Sequence, residues 1–190
     1  MCDRCGSLTF FGLAEPQRPM LESYAAALRS GWSPNNARDV SAEQLAVIEA
    51  DPDRFLADLL DPNGTVTLAD GRIVQRLAFR LAWIWDGEFC GIVNLRYQSG
   101  TEALPPYVSG HVGYAVVPWK RSHGYASRAL RHILQDAREV GLRRAQIMIE
   151  PDNIASRIVA ERNGAVRDGT YCHDGKLLDR FVVDLATEYI

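Results

Sequence analysis

Arg121-Ser122-His123-Gly124-Tyr125-Ala126 follows an apolar run, Val112 to Val117, and a Pro118-Trp119 stop, and it opens a long amphipathic segment. A short turn set where a strand feeds a helix suits phosphate. The first-turn N–H groups of a helix lack an intrahelical partner, and the helix dipole favours negative charge beside them. Gly124 lets the backbone come close, and Ala126 keeps the next contact small. The pattern Arg-x-x-Gly-x-Ala takes its meaning from this placement, since the residues alone recur by chance. Farther along, Asn153 and Ser156 lie three apart behind Pro151-Asp152. On a helix that spacing puts an amide and a hydroxyl on one face.

The flanking segments are those needed to hold such a site. Ala129, Leu130, Ile133, Leu134, Ala137 and Val140 recur at helical spacing, and Gly141 ends the helix. Arg144 to Ile149 reads as a strand, and a second helix follows, N-capped by Asp152 and ending at Asn163-Gly164. Two βα units therefore stand in a row. Upstream, Leu77 to Trp85 and Phe89 to Tyr97 alternate around Asp86-Gly87, a hairpin signal. Leu8 to Leu13 reads as a strand, and helices are predicted over 19–29, 42–50 and 53–60. Residues 61–76 hold two turns, with a short hairpin arm at Thr65 to Leu68.

This order resembles the GNAT superfamily of N-acetyltransferases, and within it most of all the Rim-type branch. The resemblance rests on Tyr114 to Val117 with Pro118, on Arg121-x-x-Gly124-x-Ala126, on Asn153-x-x-Ser156 with Glu161 and Gly164, and on a closing hairpin, Ala165 to His173 and Leu178 to Leu185. It covers residues 81–185. It implies one α/β (α+β) domain over 1–190, with about six to seven strands in a mixed central sheet and helices on both faces. Residues 1–76 would wall the acceptor side and 77–190 would form the core. Acetyl-CoA would lie where two parallel central strands splay apart.

The resemblance also implies roles. Backbone N–H groups of Ser122, His123, Gly124, Tyr125 and Ala126, with Ser127 beyond them, would hold the pyrophosphate, and Arg121 and Arg128 would add charge. Ala115, Val116 and Val117 would offer backbone groups to the pantetheine arm, with Asn153 and Ser156 across the groove. Many members carry a tyrosine as general acid seven residues after the asparagine; here that position is Ala160. Asn153, Ser156, Tyr114 and Tyr171 are the remaining candidates. The position of a frequent glutamate base matches His111, whose ordinary pKa near neutrality suits deprotonating an amine. The acetyl group would pass to a small-molecule or peptide amine by direct attack in a ternary complex. The competing reading is a catalytically silent acyl-CoA-binding module. The resemblance leaves a homodimer open.

Composition agrees with a globular enzyme. Hydrophobic residues make up 47% and charged residues 24%. No apolar run reaches the roughly 18–20 residues of a membrane span, and the N-terminus lacks a signal-peptide core, so a cytoplasmic protein is expected. The net charge of −3 hides an asymmetry: residues 1–70 carry eleven acids against five bases, and residues 118–144 carry seven bases against two acids. The basic segment around the turn suits a polyanion. Cys2 and Cys5 form a lone Cys-x-x-Cys without a second ligand pair, so no metal is expected. Cys90 and Cys172 fall in predicted strands, which predicts burial and gives no sign of an acetyl-cysteine. Trp32, Trp83, Trp85 and Tyr97 are read as core in preference to pocket, and Glu88, in the hairpin turn, as a solvated turn residue. No Walker loop, dinucleotide fingerprint, nucleophile elbow or zinc helix is present, and nothing suggests nucleic acid binding.

Overall fold

The computed structural model describes residues 11–35, 38–68 and 71–186; Cys2, Cys5 and the first residues of the Leu8–Leu13 strand lie outside them. The chain runs β1 (Gly12–Ala14), α1 (Leu21–Arg29), α2 (Ser41–Ala50), α3 (Pro52–Leu60), β2 (Thr65–Thr67), β3 (Ile73–Gln75), β4 (Ala78–Trp85), β5 (Phe89–Tyr97), β6 (Val112–Val116), α4 (Tyr125–Glu139), β7 (Arg144–Ile149), α5 (Ile154–Glu161), β8 (Val166–His173) and β9 (Lys176–Asp184).

Seven strands form two antiparallel sheets, ordered β1-β4-β5-β6 and β7-β9-β8. The expected α/β architecture is present, with one difference. β6 and β7, joined by the crossover helix α4, make no ladder with each other. They meet at one point: the His111 N–H donates to the Gln146 carbonyl (2.9 Å), and the Gln146 N–H donates to His111 Nδ1 (3.2 Å). The second acceptor is a side chain where a ladder would use a backbone carbonyl, so the pairing does not propagate. Beyond this point the two sheets splay.

Two cores flank the first sheet. Ala129, Leu130, Ile133, Leu134 and Ala137 of α4 pack on Ile84, Val93, Leu95, Ile147 and Phe181. On the opposite face, Leu21, Tyr24, Ala25 and Leu28 of α1 pack with Trp32, Phe55, Trp83 and Phe89. Tyr24 stacks on Trp83 (4.6 Å between centroids) and meets Phe89 edge-on (4.9 Å). Its hydroxyl donates to Gln44 Oε1, so the phenol within this aromatic cluster is satisfied. Trp32 and Trp83 are buried core side chains, while Trp85 and Tyr97, also read as core, are part-buried against it.

The segment 61–76 is the β2–β3 hairpin. Arg76 fastens it to the end of α3 by donating to the carbonyls of Asp58, Leu59 and Asp61 (3.1–3.2 Å), where the helix stops. A bulge at Cys90 shifts the β4–β5 register. Next to it Gly91 takes φ +156°, and a Cβ there would lie 2.2 Å from the Ala115 carbonyl oxygen. Cys90 is buried as expected; Cys172, expected to be buried, is exposed because it lies on β8, the edge strand of its sheet.

Trp83→Ala is expected to destabilise the fold by about 3–5 kcal/mol, since it removes the platform under Tyr24 and leaves a cavity. Urea denaturation followed by far-ultraviolet circular dichroism measures the shift in midpoint.

Candidate active site

Pro118 to Lys120 form one 3-10 turn after β6 and bring the chain to Arg121. Ser122 (φ 65°) and Gly124 (φ 76°) are both left-handed, with His123 between them. The His123 ring donates from Nδ1 to the Arg121 carbonyl (2.7 Å) and holds the loop in this shape. The first intrahelical bond of α4 is Arg128 N–H to Gly124 O (3.1 Å), and Gly124 offers no side-chain cap. Among the described residues, the backbone N–H groups of Ser122 to Ser127 therefore donate to no protein acceptor. A concave row of free N–H groups at a helix N-terminus is an anion nest. A Cβ on Gly124 would meet nothing within 4 Å, so the concavity is open.

Charged side chains clamp the nest from outside. Lys120 Nζ contacts Asp86 (3.0 Å) and Glu88 (2.8 Å) at the tip of the β4–β5 hairpin. The Tyr125 hydroxyl donates to the same Asp86 carboxylate. Burial pushes the Asp86 carboxyl up, but the hydrogen bonds from Tyr125 and Lys120, with the Lys120 charge, outweigh it and bring the group down to about 2. The same bond to Asp86, with burial, raises the Tyr125 phenol to about 12. Burial first, then Asp86, raises the Cys90 thiol to about 12, so this buried thiol is no nucleophile at neutral pH. Glu88, expected to be a purely solvated turn residue, is half of this clamp.

The two arginines differ in posture. Arg121 folds back, its Nε–H donating to the Val116 carbonyl (3.2 Å). The Arg128 guanidinium lies over the Phe11 ring (4.1 Å) and the Tyr125 ring (5.1 Å) beside the nest.

The backbone of β6 obeys its register. Val117 N–H donates to Cys90 O (3.0 Å), and Ala115 stands opposite Ile92. By the period of two, Ala115 and Val117 turn their backbone groups to β5, while Tyr114 and Val116 turn theirs to the splay. Ala115 and Val117 thus do not present the free edge expected of them; Tyr114 and the Val116 N–H face the splay, and the Val116 carbonyl there is taken by Arg121.

Asn153 is the N-cap of α5 and not part of its first turn, and Asp152, expected as the cap, precedes it. Its Oδ1 accepts from the Ser156 N–H (3.0 Å). The cap fell one residue late because Pro151 and Asp152 form a turn, and an asparagine side chain closes α5 equally well. The Ser156 carbonyl accepts from the Tyr114 hydroxyl (3.0 Å), a bond that crosses from β6 to α5. Burial raises the Tyr114 phenol to about 12, so it keeps its proton at neutral pH. Ala160 is fully buried, and Tyr171 lies on exposed β8 with its hydroxyl held by Arg180.

His111 is 1% exposed. Its Nδ1 lone pair is committed to Gln146, and its Nε2 has no partner. Burial, with the Arg96 charge, lowers its pKa and keeps the ring neutral. A neutral ring that accepts at Nδ1 carries its hydrogen on Nε2 and has no free lone pair there. Sequence position alone gave no sign of this burial.

The family model for the acetyltransferase (GNAT) domain matches residues 33–166. The chain belongs to the GNAT acetyltransferase family. Solved GNAT acetyltransferases share the fold over nearly the whole chain. RimL, a ribosomal alpha-N-protein acetyltransferase in complex with coenzyme A, is 17% identical, with a TM-score of 0.61 over 94% of this chain and 97% of its own. The microcin self-immunity acetyltransferase MccE, in complex with acetyl-CoA and AMP, is 14% identical, with a TM-score of 0.59 over 93% and 92%. A spermidine N-acetyltransferase chimera that includes SpeG from Vibrio cholerae is 12% identical, with a TM-score of 0.57 over 93% and 96%. Among curated proteins none matches in sequence. The family match begins well before residue 81, taking in α2 and α3, and ends at residue 166, short of the closing hairpin included in the resemblance. No helix among the described residues is long and apolar enough to cross a membrane.

The Asp86 clamp gives a pH signature. A carboxyl near 2 in the folded state and about 3.9 unfolded stabilises the fold above pH 4, and that contribution fades as pH falls towards 2. The thermal-stability margin of wild type over Asp86→Asn is expected to be constant from pH 7 to 5 and to shrink between 4 and 2. Paired melting curves across that range read it directly.

Proposed function

We propose that this GNAT protein transfers an acetyl group from acetyl-CoA to a primary amine. One observation carries the reading: the open row of unpaired N–H groups from Ser122 to Ser127 at the start of α4, next to a strand whose Tyr114 and Val116 backbone faces the splay, with only the Val116 carbonyl taken, by Arg121. These residues fit a pyrophosphate followed by an amide-bearing arm. The nest would hold the phosphates by dipoles, with Arg128 beside it. Val116 and Tyr114 would pair with the arm along the splay.

Acetyl-CoA supplies the activated thioester. The protein's own residues supply position and protons. Holding amine and thioester side by side in the splay accounts for a large share of such a rate. The Tyr114 hydroxyl holds a proton at Oη between β6 and α5, making it the phenol best placed to serve where Ala160 cannot. Asn153 and Ser156 act through Tyr114: the cap fixes the start of α5, and the Ser156 carbonyl fixes the phenol. His111 is not the base in this reading, because its Nδ1 is already occupied and its Nε2 carries the hydrogen. The ammonium of the acceptor would then lose its proton to water.

Calorimetric titration of acetyl-CoA into wild type, Gly124→Asn and Gly124→Glu tests the cradle. Asparagine tolerates the left-handed backbone and is expected to bind within a few-fold of wild type. Glutamate sets a carboxylate among the N–H groups and is expected to lose about 100-fold or more, a charge effect of roughly 3 kcal/mol. Equal binding by all three would remove the phosphate site from the nest. A Tyr114→Phe variant, followed by thiol release with any amine that turns over, is expected to lose about 10²-fold or more in kcat with little change in KM.

A further inference from the structure

Three buried polar side-chain atoms have no hydrogen-bond partner among the described residues, and they lie together: Asn94 Oδ1, Arg96 Nε and His111 Nε2. Asn94 and Arg96 are two apart on β5 and so share a face. Arg96 stands against His111, its N–H donating to the His111 carbonyl (2.8 Å), and Asn94 stands opposite Gly113. Gly113 makes the cluster fit: a Cβ there would come 3.2 Å from Asn94 Oδ1 and 3.5 Å from an Arg96 Nη.

The cluster is unbalanced in a particular way. Arg96 is part-buried, with its Nε enclosed, and has no carboxylate in salt-bridge reach among the described residues. A guanidinium stays charged, and a buried charge is costly unless paired. Burial alone accounts for the lowering of its pKa, with no anion opposing it. His111 presents a second donor, Nε2–H, because Gln146 occupies Nδ1; Glu102 stands near the ring and opposes the lowering of its pKa, but completes no hydrogen bond to Nε2. Asn94 Oδ1 is an unmet acceptor. The complement is an anion with two oxygens, set close to an N–H.

Location gives this chemistry a use. The splay between β6 and β7 has the nest at one end and the His111–Gln146 closure at the other. The three atoms border the closed end, far from the phosphates.

We propose that Asn94, Arg96 and His111 form the acceptor subsite, and that it takes an amine bearing a carboxylate, of the size of a free amino acid. The carboxylate pairs with Arg96 and the His111 Nε2–H, and Asn94 Oδ1 takes an N–H of the same molecule. Two residues of strand separate Arg96 from Asn94, about 7 Å, a span that one small molecule covers. The planar guanidinium fork fits a carboxylate. A polycation would leave Arg96 unpaired and add like charge. This assignment rests on the acetyltransferase reading above.

The test separates the two. Calorimetry of acetyl-CoA with wild type and Arg96→Met probes the cofactor alone; both are expected to bind equally, and no binding to wild type would sink the acetyltransferase reading itself. Thiol release is then followed with the single amino acids, each as free acid and as carboxamide, and with spermidine. At least one free acid is expected to exceed its carboxamide by about 10–100-fold in kcat/KM, the range for one charge-assisted contact. Arg96→Met is expected to erase that preference through KM. Arg96→Lys, which keeps the charge without the fork, is expected to retain the fold and lose most of the preference, and it serves if Arg96→Met does not fold by circular dichroism. The proposal falls if carboxamides or spermidine react as well as the acids, if the preference survives these substitutions, or if a protein that binds acetyl-CoA turns over no free acid.

Discussion

Two hydrogen bonds between His111 and Gln146 join the sheets, and much else follows from their being only two. A continuous β6–β7 ladder would consume the outward backbone groups of Tyr114 and Val116. A complete separation would leave them facing a gap of undefined width. The imidazole gives an intermediate result: it accepts one N–H as a carbonyl would and then ends the pairing. Because the ring is neutral and buried, this junction adds no charge that the low-dielectric interior must compensate.

From that junction the groove opens towards the nest, and the nest is braced from a different part of the chain. Asp86 lies at the tip of the β4–β5 hairpin, yet it fixes both Lys120 before the nest and Tyr125 within it. The hairpin tip thus sets the position of the helix N-terminus. The hairpin itself is anchored by α1 through Tyr24, Trp83 and Phe89. Aromatic packing on one face of the sheet is in this way linked to the geometry of N–H groups at the end of another strand.

Much of this was legible in the sequence. The α4 stripe, the Asp86-Gly87 hairpin, the 144–149 strand and the Gly124 turn depend on local periodicity and on one residue's backbone preference, which a sequence carries openly. What was not legible depends on partners distant in sequence. Ala115 and Val117 were expected to face the groove, but strand parity is set by pairing with β5. His111 read as a base because its intrinsic pKa suits one; its burial and its bond to Gln146 are tertiary facts. Glu88 read as solvated because nothing near it in sequence announces Lys120. Asn153 was seen as polar chemistry and is also a helix cap. Arg96 looks like any strand arginine in the sequence, because the absence of a carboxylate in salt-bridge reach is set by tertiary neighbours.

Gly91 and Gly124 both have positive φ, yet they constrain variation differently. At Gly124 the space is open, so only the backbone preference restricts the residue. At Gly91 any side chain would run into the Ala115 carbonyl on the neighbouring strand, a group that cannot swing aside without breaking the sheet. In a saturation library, position 91 should therefore be closed to every replacement regardless of chemistry, whereas position 124 should sort replacements by conformation and charge. Tolerance profiles at the two sites would distinguish a glycine kept for architecture from one kept for what lies beside it.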